Sequence, residues 1–226
     1  MYLLDSDAAR KLCQYQLIHE LTHALNCALT DFAVLPQLAF QLRLHDQQAA
    51  LKKLGSLESV ALAAELITHA RIVEVLVEHS NYALNFERPD IESGEAVLFA
   101  ALLQNAQDRM ISGDKRAFVA LSKLDNQDVT RDMWIRLLCL EEAVMLILRS
   151  DSFDQVCAKV RARCDVDKAL SIAFGISQPT DQTSVFEALS SYLRDLHRDT
   201  GGNWRDLGEK NGQCQDASSQ QSEWLH

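Results

Sequence analysis

Tyr2-Leu3-Leu4-Asp5-Ser6-Asp7 opens the chain with a strand-sized apolar run, closed by polar residues that can cap a helix. Apolar residues then recur at helical spacing from residue 8 to about 29, with Leu17, Leu21, Ala24 and Ala28 on one line and Ile18, Leu25 and Leu29 beside it. Phe32-Ala33-Val34-Leu35 is a second strand candidate, stopped by Pro36, and residues 38–44 read as helix. Residues 47–69, rich in Ala, Leu, Lys and Glu, give one or two further helices. The β-branched run 72–77 is a third strand candidate, with an extended helix as the alternative, and Arg88-Pro89-Asp90 makes a turn. Gly94-Glu95 opens a helix, and Met110-Ile111-Ser112 is a further short strand that Gly113-Asp114 ends before a helix over 115–124. This alternation predicts an α/β fold over residues 1–125, helix-rich and three-layer, with a small, largely parallel sheet.

The pattern changes after residue 125. Segments 129–149, 153–163 and 185–196 all read as helix without a strand candidate, so residues 126–197 are expected to form C-terminal helices packed on the domain. Their Leu137, Leu138, Leu140, Val144, Leu146 and Ile147 suit packing within the chain, or against a partner helix or a second copy. Residues 198–226 lack Ile, Val and Phe and read as a mobile tail anchored by Trp204 and Trp224.

Composition narrows the function. With 47% hydrophobic and 24% charged residues, the 226-residue chain is neither disordered nor a fibrous repeat, and 8 Gly with 3 Pro favour helix. A formal charge of −10 argues against wrapping duplex DNA with a broad basic face. It leaves room for an enzyme that holds phosphates through a metal, which needs clustered carboxylates. The cysteines Cys13, Cys27, Cys139, Cys157, Cys164 and Cys214 show no CxxC pair and read as reduced thiols of a cytoplasmic protein. The N-terminus has no basic n-region, and no charge-free run reaches about eighteen residues, so neither a signal peptide nor a membrane helix is expected.

Two constellations can carry chemistry. His19-Glu20-Leu21-Thr22-His23 is an H-E-x-x-H, which on a helix turns both histidines toward one Zn²⁺ with Glu20 placed to activate water, as in zinc peptidases. Only eighteen residues precede His19, enough for one strand and not for a substrate-binding sheet. Residues 24–30 hold no further histidine, and spacing does not single out a third ligand such as Glu65. An amphipathic helix with two solvent-facing histidines accounts for the same five residues.

The second constellation follows the architecture, since parallel α/β sheets bind ligands beyond the carboxyl ends of their strands. Asp5 ends the first strand, Asp114 follows Met110-Ile111-Ser112-Gly113, and Glu95 sits in the first turn of the helix feeding that strand. Should the two strands be close, the three carboxylates share one edge and repel unless a divalent cation such as Mg²⁺ or Mn²⁺ neutralises them. Helix capping and the helix dipole explain the same acids without any site.

Three stretches resemble PIN-domain nucleases: Tyr2-Leu3-Leu4-Asp5-Ser6, then Asp90-Ile91-Glu92-Ser93-Gly94-Glu95-Ala96, then Ser112-Gly113-Asp114-Lys115-Arg116-Ala117, in family order across residues 1–125. The resemblance implies a metal-dependent endoribonuclease, with Asp5, Glu95 and Asp114 as catalytic residues and ligands of Mg²⁺ or Mn²⁺, and with RNA as partner. Many members of the family are toxins of bacterial toxin–antitoxin pairs. The family's usual acid after the second strand is missing, since Gln37 or Gln41 stands in that stretch. A catalytically degenerate PIN-like binding or regulatory protein is therefore the alternative, and Asp7, Asp90 and Asp108 are candidates to compensate. Lys115 and Arg116 are expected to bind substrate, with Arg10, Lys11 and Arg43 as further phosphate contacts.

Overall fold

A computed structural model describes residues 1–76, 86, 89–124 and 127–205. Its strands are β1 (Tyr2–Leu4), β2 (Phe32–Val34), β3 (Arg71–Ile72), β4 (Arg109–Ser112) and β5 (Leu137–Cys139). They form one parallel sheet in the order β3-β2-β1-β4-β5. The chain runs outward from β1 to one edge, returns to β4 on the other side of β1, and finishes at β5. The order therefore reverses between β1 and β4, where Leu4 stands opposite Ile111. Leu3, Leu4, Met110 and Ile111 are all buried, as expected of strands covered on both faces.

Helices complete a three-layer α/β architecture. The first half carries α1 (Ser6–Gln14), α2 (Ile18–Leu25), α3 (Leu38–Gln41), α4 (Gln47–Leu54), α5 (Leu57–His69), α6 (Ser93–Gln104) and α7 (Lys115–Leu121). The second carries α8 (Gln127–Thr130), α9 (Leu140–Ser150), α10 (Phe153–Arg161), α11 (Lys168–Phe174) and α12 (Gln182–Asp199). Helices α1, α4 and α5 pack together, while α9 packs on α2 and α12.

The structure departs from the sequence expectations in three places. The helical pattern from residue 8 is broken at Gln16, whose φ of 56° ends α1 while the Leu17 N–H bonds the Leu12 carbonyl. Gln14 keeps its place in the pattern by sending its amide to the Lys53 carbonyl at 2.9 Å, so periodicity alone hides the break. The third strand is only Arg71–Ile72, an edge with both side chains exposed; Val77 lies outside the described residues. Leu137–Cys139, expected to be helical, is the fifth strand, paired with β4. One buried cluster runs from Leu3 to Trp204, and residues of the C-terminal helices belong to it.

The start of the expected tail is folded back as well. Trp204 is buried, its ring centroid 4.8 Å from that of Phe118, and its backbone N–H donates to Thr200 Oγ1 at 3.0 Å. Arg205 pairs with buried Glu142 at 2.8 Å. Trp224 and Cys214 lie outside the described residues. Among the described residues, no helix is long and apolar enough to cross a membrane.

Candidate active site

Strand order decides where the acids meet. Asp5 follows β1 and Asp114 follows β4, the two neighbours at which the sheet reverses its order, so both stand at the carboxyl edge where such sheets bind ligands. The Asp5 N–H continues the ladder to the Ile111 carbonyl at 2.9 Å before its side chain caps α1. Buried Ser112 ties the two strand ends together. Its hydroxyl donates to Asp5 Oδ2 at 3.3 Å and accepts the Asp114 N–H at 3.1 Å. Between them Gly113 leaves no room for a side chain, because a Cβ there collides with the Asp7 carboxylate and meets the Ala8 nitrogen at 3.3 Å.

Glu95 reaches the same cleft from α6. It is buried, and its carboxylate accepts the Glu92 N–H at 3.0 Å, capping the helix that carries it. The cleft has a volume of about 760 Å³ and is lined by Asp5, Asp7, Glu92, Glu95 and Asp114. Arg10, Lys11, Arg43, Lys53 and Arg116 line it too, together with Gln37 and Gln41.

The electrostatics of these acids differ. Burial pushes Glu95 up to about 8, with repulsion from Asp5, Asp114 and Glu92 adding to it and the Glu92 N–H opposing it. Burial also raises Asp5, and the neighbouring charge of Asp7 adds to the effect. For Asp114 burial raises the pKa too, but the Arg116 hydrogen bonds outweigh it and hold the carboxyl below its ordinary value. The Arg116 guanidinium grips it through Nε at 3.1 Å and a terminal nitrogen at 2.6 Å, while Arg116 itself stays largely exposed. Asp7 is claimed by Arg10, and by Lys11 at 2.7 Å; Lys11 also bonds Asp167 at 2.7 Å.

The donor set is all oxygen, which suits Mg²⁺ or Mn²⁺. Among the described residues, no three His, Cys, Asp or Glu side chains already form a common ligand group. The acids face one cleft, and Asp114 is turned to Arg116 instead of toward a shared centre.

Other sequence candidates lie elsewhere. Lys115, expected beside the acids, turns away to bond Glu141 and sits 5.2 Å from the Tyr192 ring, lining a second cavity of about 370 Å³ with Asp90. Asp108 holds the N-terminal amine at 2.9 Å, so neither Asp90 nor Asp108 reaches the cleft. His19 does meet Glu65, at 3.1 Å, but His23 faces Asp151 at 3.2 Å and Glu20 is paired with Lys159. Both histidines are more than half exposed, which is the arrangement of an amphipathic helix.

Sequence reasoning did not single out Glu92, Ser112, Lys53 or Phe40. Glu92 carried a signal, as the residue just before a helix and three ahead of Glu95. Lys53 carried none, because only the packing of α4 on α1 brings it to the cleft. No protein-family model matches the sequence, and neither a curated protein nor a solved structure matches the chain.

Proposed function

We propose that the chain is a divalent-metal-dependent nuclease of PIN type that hydrolyses RNA phosphodiesters in the cleft between β1 and β4. The observation that carries this reading is the convergence of Asp5, Glu95 and Asp114, remote in sequence, on the cleft where the strand order reverses. Glu95 has no ion-pair partner among the described residues, and a carboxyl pushed up to about 8 beside two others marks a place where a cation would be held. Asp5, Glu95 and Asp114 would hold Mg²⁺ or Mn²⁺, with Glu92 within the same cleft. Such an ion supplies charge neutralisation at a phosphodiester and activation of water for in-line attack.

The chain's own residues have separable tasks. Ser112 and the cap bonds of Asp5 and Asp114 fix the two strand-end carboxylates in position. Lys53 and Arg43, which line the cleft, offer cations to flanking phosphates. Arg116 opposes its own site in part, because it neutralises Asp114 until a competing cation or a phosphate draws it away.

Cleavage of single-stranded RNA with Mg²⁺ or Mn²⁺, abolished by EDTA and by Asp114→Asn, is the expected result. Asparagine retains an acceptor for the Arg116 N–H cap, so the variant folds while losing the charge. RNA left intact by the wild type with either ion, across several substrates, refutes the nuclease and favours a degenerate PIN-like binding protein.

A further inference from the structure

We propose that Phe40 and Arg43, which line the cleft, and His45, stacked on Phe40, form a platform that receives an unpaired nucleobase of the bound strand. This rests on the reading of the cleft as a phosphodiester site and adds the residues that hold a base of the bound strand. Helix α3 is pinned by Leu38 and Leu42, both buried, and its geometry therefore turns Phe40 outward. Phe40 is 63% exposed and lines the cleft, an environment that hydrophobic burial does not explain.

The surroundings of the ring are those of a base-binding surface. The His45 ring lies nearly parallel to it, at 11° with centroids 5.5 Å apart, and the Arg43 guanidinium lies 5.4 Å from its centroid. A flat base added to this column finds aromatic and guanidinium faces, and stacking of this kind tolerates any base. Arg43 also holds a φ of 60°, in the left-handed region, where the Leu44 N–H bonds the Ala39 carbonyl to close the helix. Glycine makes that turn more cheaply, so the arginine side chain is present at a conformational cost. Rim cations for phosphate together with an exposed aromatic column fit a single strand. The bases of a duplex are already stacked on one another and cannot enter such a column.

The test uses single-stranded RNA hexanucleotides carrying 2-aminopurine at each position in turn, with the full chain in EDTA. One position is expected to be quenched on binding. Phe40→Ala should remove the quench and weaken binding roughly 5- to 100-fold, and Phe40→Trp should restore both. An abasic nucleotide at that position should weaken the wild type by a similar factor and Phe40→Ala no further. Phe40→Ala binding every hexanucleotide as the wild type does, or losing equally against a duplex of the same length, overturns the platform. Because the readout needs no cleavage, the two readings separate. Metal-dependent cleavage with binding unaltered in Phe40→Ala overturns the platform alone, whereas Phe40-dependent quenching without cleavage upholds the platform and overturns the nuclease.

Discussion

Glu95→Gln should make the metal-free protein more stable above neutral pH. The Glu95 carboxyl moves from its ordinary 4.5 to about 8 on folding, chiefly through burial. Between those values the native state binds more protons than the unfolded chain, so stability is full below about 4.5 and is lost as pH rises toward 8. At about 1.4 kcal/mol per unit the shift corresponds to something on the order of 5 kcal/mol. Glu95 opens on a solvent-accessible cleft, and screening reduces the measurable part to about 2–4 kcal/mol. Glutamine removes the charge while keeping an oxygen to accept the Glu92 N–H.

Urea unfolding in EDTA at pH 5 and pH 8 measures this directly. The wild type should lose about 2–4 kcal/mol across the interval, and Glu95→Gln should lose clearly less. Asp5 and Glu142 are also raised by burial and tilt both proteins the same way, so the difference between them isolates Glu95. Mg²⁺ at a hundred times its dissociation constant should return roughly 2.7 kcal/mol to the wild type at pH 8, and much less to the variant. An unchanged pH slope in Glu95→Gln, or a variant less stable than the wild type at pH 8, would refute the account of charge crowding in the cleft.

Further outcomes follow from the packing and from the histidine contacts. Trp204→Ala should cost about 3–5 kcal/mol in urea unfolding, because the ring is buried against Phe118; a loss below about 1 kcal/mol would contradict that placement. Gly113→Ala should destabilise by about 1–3 kcal/mol, since its Cβ meets the Asp7 carboxylate and the start of α1, and wild-type stability would show that the β4–α1 approach is looser. His19→Ala and His23→Ala should each change stability by less than about 1 kcal/mol and leave RNA cleavage intact, their partners being exposed ion pairs. Elemental analysis should find no stoichiometric zinc, and finding it would restore the peptidase reading.

Those elements whose residues answer to local rules were legible from sequence. Leu3 and Leu4 before a capping Asp5, and Met110-Ile111 before Gly113-Asp114, read as strand ends because burial on both faces demands continuous apolar runs. What failed was tertiary in origin. Leu137–Cys139 merges into the apolar run of α9, and only its pairing with β4 makes it a strand. Lys115 stands one residue from Asp114, yet the side chain goes to Glu141 at the start of α9, a partner 26 residues away. Trp204 falls in a stretch too polar to fold alone, and it is ordered by a cavity beside Phe118 that other elements build.

Glutamines, and no acid, follow the second strand at the cleft, which bears on how much charge it can offer a cation. Gln37 and Gln41 do line it, in the stretch where PIN-domain nucleases, which the sequence resembles, carry a carboxylate. The cleft's five acids are nonetheless unequally committed. Asp7 is neutralised by Arg10 and Lys11, and Asp114 by Arg116, whereas Asp5, Glu92 and Glu95 have no ion-pair partner among the described residues. Asp5 and Glu95 are buried, so ionising both brings a repulsion that is only weakly screened, which is one reason Glu95 is held protonated. Arg43 and Lys53, likewise without a carboxylate partner among the described residues, stand at the same cleft. Glu95, pushed up to about 8, holds its proton at neutral pH until a cation displaces it, so the cleft keeps carboxyl charge in reserve beside Asp5 and Glu92, with Arg43 and Lys53 near them. A divalent ion and an anionic phosphodiester complement those two features separately. The −10 of the whole chain therefore says little about its affinity for phosphate, because the local arrangement, and not the net balance, decides what the cleft attracts.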